Sequence, residues 1–278
     1  MKLTCVTATF NCIRSGNKER LIRCVESVAN LKTEHEHLIY DGASTDGTVE
    51  LLRELELKTQ GLKVVSEPDT GIYNALNKGV REAKGEWFYV LGADDYIARP
   101  LVMEEIIDIE GNEAEHIVAP VWRISASTGK RLGGVQKRNI FFGTPYCHQG
   151  VLMRTSLVRQ CGGFDEVFKV FADYALFVES HLRGSRIRYV NAPFAVYSTS
   201  GFSSEGHGTF PDECMRISHH LLGVSNREIE QFRRTAYFPL KRVIPYIFHR
   251  DATLRLGAFC MLAKNILGHL GLYRWRKS

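Results

Sequence analysis

Cysteine pairs are missing from this chain. Its seven cysteines are scattered, odd in number and never spaced as C-x-x-C. That excludes a disulfide framework and a cysteine-ligated zinc site. Reduced thiols in a cytosolic compartment are the expectation. Long apolar runs are missing as well. A spanning helix needs about eighteen or more apolar residues, and no such run here is free of charge. The best candidate, Ala252–Leu272, carries Arg255, Lys264, Asn265 and His269, and charges at that depth make lying in an interface cheaper than crossing. The opening residues Met1-Lys2-Leu3-Thr4-Cys5-Val6 begin a strand at once, so no signal peptide is expected. No nucleic-acid motif is present, and no nucleic-acid partner is expected.

What is present is ordinary in amount and uneven in placement. The 278 residues are 44% hydrophobic and 24% charged, enough for one large α/β unit with an appendage. Net charge is only +5, yet from Arg233 onward there are ten Lys or Arg and one acid, Asp251.

Along the first hundred residues strand and helix signals alternate. Strands are read at Leu3–Thr9, Leu38–Tyr40, Leu62–Ser66 and Glu86–Leu91, and helices at Lys18–Leu31, Thr48–Leu57 and Ile72–Ala83. Repeated β-α units predict a mainly parallel sheet with helices on both faces, which binds ligands at the carboxyl ends of its strands. Polar residues gather at those ends: Thr9-Phe10-Asn11, Asp41 through Gly47, Glu67-Pro68-Asp69-Thr70-Gly71, and Asp94-Asp95. The last pair is the most informative. An aromatic, β-branched strand running into two adjacent carboxylates is costly unless a cation neutralises them. A hard divalent ion held by one or two carboxylates takes its other ligands from water and phosphate. A solvated Asp-Asp turn is the plain alternative.

Further on, Glu115–Pro120, Val121–Ile124, Arg186–Val190 and Phe194–Tyr197 read as strands, Phe141–Gly150 as a loop carrying Cys147-His148-Gln149, and Phe171–Leu182 as a helix with Asp173 in its first turn. An acid at that position is also what the helix dipole favours. Specificity is expected from loops around 125–150 and 200–215, whose residues carry no readable code.

In order and spacing, Ala8-Thr9-Phe10-Asn11, Asp41-Gly42-Ala43-Ser44-Thr45-Asp46-Gly47-Thr48, Glu67 through Gly79, Gly92-Ala93-Asp94-Asp95, Gly163-Phe164-Asp165-Glu166 and Ala172-Asp173-Tyr174 resemble the family 2 glycosyltransferases of the GT-A fold, the inverting class that builds bacterial surface polysaccharides. The resemblance covers residues 1 to about 200. It implies that Thr9, Phe10 and Asn11 line the base and ribose pocket. Asp41 would hydrogen-bond a uracil-type edge, and Asp69 and Asn77 would border the nucleotide. It further implies that Asp94 sits near the ribose, that Asp95 ligates Mg2+ or Mn2+ on the diphosphate, and that Asp173 is the general base. His148-Gln149 is similar to a pair found on the acceptor side in one branch, although a loop histidine is as often structural. Phe10 stands where many relatives have Tyr, and Ala172 where many have Glu.

By that resemblance residues 1–205 form the catalytic domain, with 1–100 the nucleotide half and 101–205 the acceptor half. Residues 206–278 form a basic, aromatic helical tail. The tail interleaves Arg233-Arg234, Tyr237-Phe238, Lys241-Arg242 and Tyr246-Ile247-Phe248 and ends Tyr273-Arg274-Trp275-Arg276-Lys277. Helices packed on the domain with a solvated cationic face are one reading. An interfacial anchor on an anionic membrane, suiting a polyprenyl-linked or glycan acceptor and a UDP-sugar donor, is the favoured one. The Gln-x-x-Arg-Trp pattern of processive synthases is absent, because Gly271 stands where Gln is needed. Transfer of a single sugar is therefore expected, at the inner face of the cell membrane. Two other readings stay open. A sugar nucleotidyltransferase would need a Gly-rich phosphate loop where Phe10-Asn11-Cys12-Ile13-Arg14 stands, and a non-catalytic sugar- or lipid-binding scaffold would not need its acids.

Overall fold

The structure is a computed structural model that describes residues 1–109, 113–124, 131–134, 140, 144–198, 210–223, 240–250 and 252–269. Most of the two loops expected to set specificity, and the basic stretches 233–238 and 273–277, lie outside these residues.

The β-α alternation folds as expected. Strands β1 (Leu3–Thr9), β2 (His35–Asp41), β3 (Leu62–Ser66) and β4 (Trp87–Val90) are separated by helices α1 (Lys18–Ala29), α2 (Thr48–Lys58) and α3 (Ile72–Glu82). All four strands pair in parallel, in the order β4-β1-β2-β3. The chain runs outward from β1 to β3 and then returns to the other side of β1. The strand order therefore reverses between β1 and β4, and a crevice opens there at the carboxyl ends.

Beyond β4 come β5 (Tyr96–Ile97), α4 (Pro100–Ile107), β6 (His116–Val118), β7 (Trp122–Ile124), β8 (Arg131–Gly134), a 3-10 turn at His148–Gly150, β9 (Val151–Arg154), α5 (Thr155–Gln160), α6 (Ala172–Leu182), β10 (Ile187–Tyr189) and β11 (Ala195–Ser198). Strand β9 inserts antiparallel between β4 and β6, and β10 extends the edge, giving seven strands in the order β10-β6-β9-β4-β1-β2-β3. A second sheet, β5-β11-β7-β8, was not foreseen. Its strands β7 and β11 fall where Val121–Ile124 and Phe194–Tyr197 read as strands, whereas β5 and β8, two and four residues long, are too short for periodicity to mark. Val151–Arg154 escaped for the same reason.

Packing follows the two faces. Cys24 and Val28 of α1 and Met103, Ile106 and Ile107 of α4 cover one face of the large sheet over Cys5, Tyr89 and Leu152. Tyr73, Leu76 and Val80 of α3, Val158 of α5 and Leu176 and Phe177 of α6 cover the other over Val6, Phe88 and Met153. The tail adds α7 (Phe210–Leu222), α8 (Leu240–Ile247) and α9 (Ala252–His269). Cys214, Ile217, Val243, Leu254, Ala258 and Met261 of these helices share one buried cluster with Phe171, Tyr174 and Val178. The tail thus packs on the outer side of the helix that carries Asp173.

Candidate active site

Strand register builds the first part of the site. Thr9, Asp41 and Ser66 are register partners at the ends of β1, β2 and β3, and partners in a parallel ladder present their side chains to the same face. Thr9 Oγ1 donates to Asp41 Oδ1 at 3.1 Å and Ser66 Oγ to Oδ2 at 2.9 Å. Ser44 adds its hydroxyl at 2.5 Å and its backbone N–H at 2.8 Å. A carboxylate offers about four acceptor positions, and here all are engaged with Asp41 only 1% exposed. Asp41 ties three strand ends to the following loop.

That loop is held close to the first. Asn11, in the left-handed region at φ 47°, donates its N–H to Ser44 Oγ at 2.7 Å and accepts from Thr45 N at 3.0 Å. The arrangement leaves the Phe10 ring 65% exposed. Asp69 faces the same spot. A Cβ added to Gly42 would lie 2.9 Å from Asp69 Oδ2 and 3.3 Å from the Phe10 ring. Phe10, Gly42 and Asp69 therefore meet at one spot, where the lack of a Cβ on Gly42 lets the Asp69 carboxylate and the Phe10 ring come close to its backbone. Asp69 Oδ1 accepts from Gly71 N at 2.9 Å. Lys78 pairs with Glu67 at 2.7 Å beside it.

Asn77 has another neighbourhood. Its amide donates to Phe164 O at 2.8 Å and Glu166 Oε1 at 3.0 Å and accepts from Phe164 N at 2.8 Å. Both donors are spent on the 163–166 turn, to which Asn77 clamps α3. Glu166, a residue of that turn, also takes Asn74 and Thr70.

The carboxylate pair lies across the crevice. Asp95 is 2% exposed; its Oδ1 accepts from Ser198 N at 2.8 Å and its Oδ2 from Gln149 Nε2 at 2.6 Å. Burial first, and then the neighbouring charge of Asp94, push its carboxyl up to about 7. Asp94 is also raised, chiefly by burial, with Arg20 and Ser198 opposing. Asp94 Oδ2 is buried and has no hydrogen-bond partner among the described residues. A buried acid beside a half-buried one whose inner oxygen is unsatisfied makes a strongly cation-seeking spot. No three His, Cys, Asp or Glu converge as a closed metal cage among the described residues. An ion at this place would draw on these one or two carboxylates and on a ligand's oxygens, as hard cations do.

The 3-10 turn joins this pair to Asp173. Gln149 is 2% exposed and held by the Cys147 thiol, which donates to its Oε1 at 2.7 Å. Next to it, His148 Nδ1 lies 3.5 Å from Asp173 Oδ2. Burial would lower the His148 pKa, but Asp173, Asp95 and Asp94 together outweigh it and hold the imidazole above its usual value. Asp173 sits in the first turn of α6, and its Oδ1 accepts from Tyr174 N at 2.7 Å. Adjacent residues of one turn thus touch the two acids, Gln149 on Asp95 and His148 on Asp173. The turn is itself wedged: a Cβ on Gly150 would lie 2.2 Å from Ala119 O.

The sequence reading passed over Ser198, Arg20, Cys147 and Ser66. Ser198 meets Asp95 through its backbone N–H, which leaves no side-chain signal, while its hydroxyl side faces Asp94 and Arg20. Arg20, from α1, hydrogen-bonds Ser198 Oγ at 3.4 Å and lowers the pKa of Asp94 through space.

Comparison with known proteins bears on the family and the fold. Residues 4–168 match the profile described as glycosyl transferase family 2. A PGL/p-HBAD biosynthesis glycosyltransferase of Mycobacterium tuberculosis is 27% identical over 183 residues, 64% of this chain and 71% of that protein. An uncharacterized glycosyltransferase of the same organism is 26% identical over 243 residues, 78% of this chain and 88% of the relative. Among solved structures, residues 1–349 of S. aureus TarS in complex with UDP-GlcNAc superpose with a TM-score of 0.61 at 16% identity, covering 99% of this chain and 93% of that one. Against a longer TarS chain the coverage is 44%. The mannosyltransferase PcManGT from Pyrobaculum calidifontis, in complex with GDP-Man and Mn2+, gives 0.56 at 14% identity over 96% of this chain and 87% of its own. The fold is that of the GT-A enzymes, the chain belongs to glycosyl transferase family 2, and it is a glycosyltransferase.

Proposed function

We propose that this enzyme moves one sugar, with inversion, from a UDP-sugar to a hydroxyl of a glycan or polyprenyl-linked acceptor in surface-polysaccharide synthesis. The observation that carries the reading is the turn at 148–150, which touches Asp95 and Asp173 with adjacent side chains. A transferase needs one group on the leaving diphosphate and another beside the attacking hydroxyl, at a fixed separation. The TarS complexes with UDP and UDP-GlcNAc support a nucleotide-sugar donor.

In this reading the exposed Phe10 ring stacks on the base, and Thr9 and Asn11 shape the pocket through their neighbours. Asp69 offers its Oδ2 beside that ring, its Oδ1 being taken by Gly71 N. Asp41 reaches the base edge only if Ser44 yields one of its bonds. Asn77 acts by fixing α3 to the 163–166 turn. Asp95 would hold Mg2+ or Mn2+, with Asp94 beside it towards the ribose. When bound, the ion supplies Lewis-acid stabilisation of charge on the departing diphosphate. Asp173 takes the proton of the acceptor hydroxyl, whose oxygen forms a bond to the anomeric carbon as the bond to the diphosphate oxygen breaks. The transition state has oxocarbenium character by analogy with glycoside hydrolysis. His148 orients Asp173, and Gln149 orients Asp95. An α-linked donor gives a β-linked product.

Residues 1–205 act as the catalytic domain and 206–278 as its tail, which we place on an anionic membrane surface at the inner face of the cell membrane. No helix among the described residues is long and apolar enough to cross a membrane. Ile244, Phe248, Leu256, Phe259 and Ile266 of α8, α9 and the residue after α8 are exposed, while Leu254, Ala258 and Met261 of α9 are buried. An exposed apolar face flanked by Arg250 and Arg255 suits acyl chains below anionic headgroups. A second copy docked on that face would bring two cationic tails together.

A thermal-shift screen of nucleotide-sugars with Mn2+ tests the donor assignment, since a bound ligand stabilises with the logarithm of its concentration over its dissociation constant. UDP-sugars should raise the midpoint, and Asp95→Ala should abolish the rise. Synthesis of a nucleotide-sugar from a sugar phosphate and a nucleoside triphosphate would overturn the reading.

A further inference from the structure

Glu213 lies in the tail, four residues into α7, and is 5% exposed. A buried carboxylate must spend its charge on partners. Here the partners are three consecutive backbone N–H groups: Lys169 at 2.7 Å on Oε1, and Val170 at 3.0 Å and Phe171 at 3.1 Å on Oε2. These residues lead directly into α6, and Asp173 follows two positions after Phe171. From the opposite side Tyr73 of α3 donates its hydroxyl to Val170 O at 2.6 Å. The backbone just before the helix is thus gripped by α3 on one side and by the tail on the other. One helix turn past Glu213, Ser218 lies 3.3 Å from the Tyr174 hydroxyl, which also donates to Ile140 O. Glu213, Cys214, Ile217 and Ser218 are all buried at spacings that share one face of α7.

We propose that Glu213 is a positioning residue for the sugar-transfer reaction. It fixes the entry of α6 and so the place of the Asp173 carboxylate relative to His148, which makes the tail part of the catalytic apparatus as well as an outer covering. The inference rests on Asp173 being the base. Charge-assisted bonds to three amides in a row are short and directional, and a base displaced by about 1 Å costs roughly a hundredfold in rate. Glu213→Gln keeps the shape but removes the charge that holds those amides.

The test is a double-mutant cycle on hydrolysis of a UDP-sugar with Mn2+, using full-length wild type, Glu213→Gln, Asp173→Asn and the double variant. The expected result is a roughly 10- to 100-fold fall in kcat for Glu213→Gln. Its KM and the thermal shift given by UDP with Mn2+ should be unchanged, and in the Asp173→Asn background no further fall should occur, because residues acting as a unit are not additive. An undiminished kcat, an equal fall in both backgrounds, or a fall matched by loss of UDP binding would overturn it. If Glu213→Gln does not fold, Glu213→Asp, which keeps the charge but draws it back, replaces it in the same cycle. Full activity of Asp173→Asn would instead sink the base assignment, whatever Glu213 does.

Discussion

At the scale of single residues, neighbours in this site alter one another's chemistry. His148 is pulled in two directions: burial disfavours its cation, the carboxylates of Asp173, Asp95 and Asp94 favour it, with Asp173 foremost among them, and together the acids prevail. Asp173→Asn leaves burial as the main influence, so the His148 titration midpoint followed by NMR should drop relative to wild type. An unchanged midpoint would contradict the pairing. The sign for stability follows: with the folded pKa raised, the pair contributes fully below the unfolded value of about 6.5 and loses its contribution as pH rises through the folded pKa. Gln149 does similar work for Asp95. Removing an outer partner of a metal-binding carboxylate costs roughly 10- to 100-fold in metal affinity, so Gln149→Ala should need that much more Mn2+ for half-maximal turnover, with Asp173 function retained at saturation. Normal Mn2+ dependence in that variant would show that the 2.6 Å bond to Asp95 is incidental.

At the scale of elements, the turn at 148–150 is the part on which both acids depend. Gly150 lies against the Ala119 carbonyl, where a Cβ would sit at 2.2 Å. Gly150→Ala should displace the turn, costing about 1–3 kcal/mol of stability as overpacking does, and should lower turnover beyond what the lost stability explains. Chemical denaturation alongside kinetics separates the two. The elements of residues 1–100 were legible in the sequence because their signals are local: long apolar runs, glycine turns and acids at strand ends. Strands β1 and β3 start and stop where the sequence puts them. Strands β7 and β11 of the second sheet were legible as strands, but their pairing, the strands β5 and β8 beside them, and β9 were not, since such short strands are defined by partners far along the chain. Within the site, the acids and the His148-Gln149 pair could be picked out by type and order. What those residues touch could not. That Gln149 meets Asp95, that Asn77 faces the 163–166 turn and that Asp41 is fully engaged are consequences of packing between distant segments.

At the scale of the whole molecule, the tail is joined to α6 through a shared apolar cluster. Leu254 and Met261 are buried against the group that includes Tyr174 and Val178. Leu254→Ala should cost about 2–5 kcal/mol in a single unfolding transition. A separate, early transition for the tail would mean that the two parts fold independently. The opposite face of α9, with Leu256 and Phe259 exposed, should bind vesicles containing anionic lipid, more weakly as salt rises, and Leu256→Asp with Phe259→Asp should abolish that binding.

The central claim is a division of labour between Asp95 on the leaving diphosphate and Asp173 on the acceptor hydroxyl. The most direct test compares Asp95→Asn and Asp173→Asn for UDP-sugar affinity in Mn2+ and for turnover of the same donor. Asp95→Asn should lose metal-dependent binding and turnover together. Asp173→Asn should bind the donor as wild type does and turn over roughly 100- to 10,000-fold more slowly, the usual contribution of a general base. Near-wild-type turnover by Asp173→Asn, or donor binding indifferent to both Asp95 and Mn2+, would contradict it.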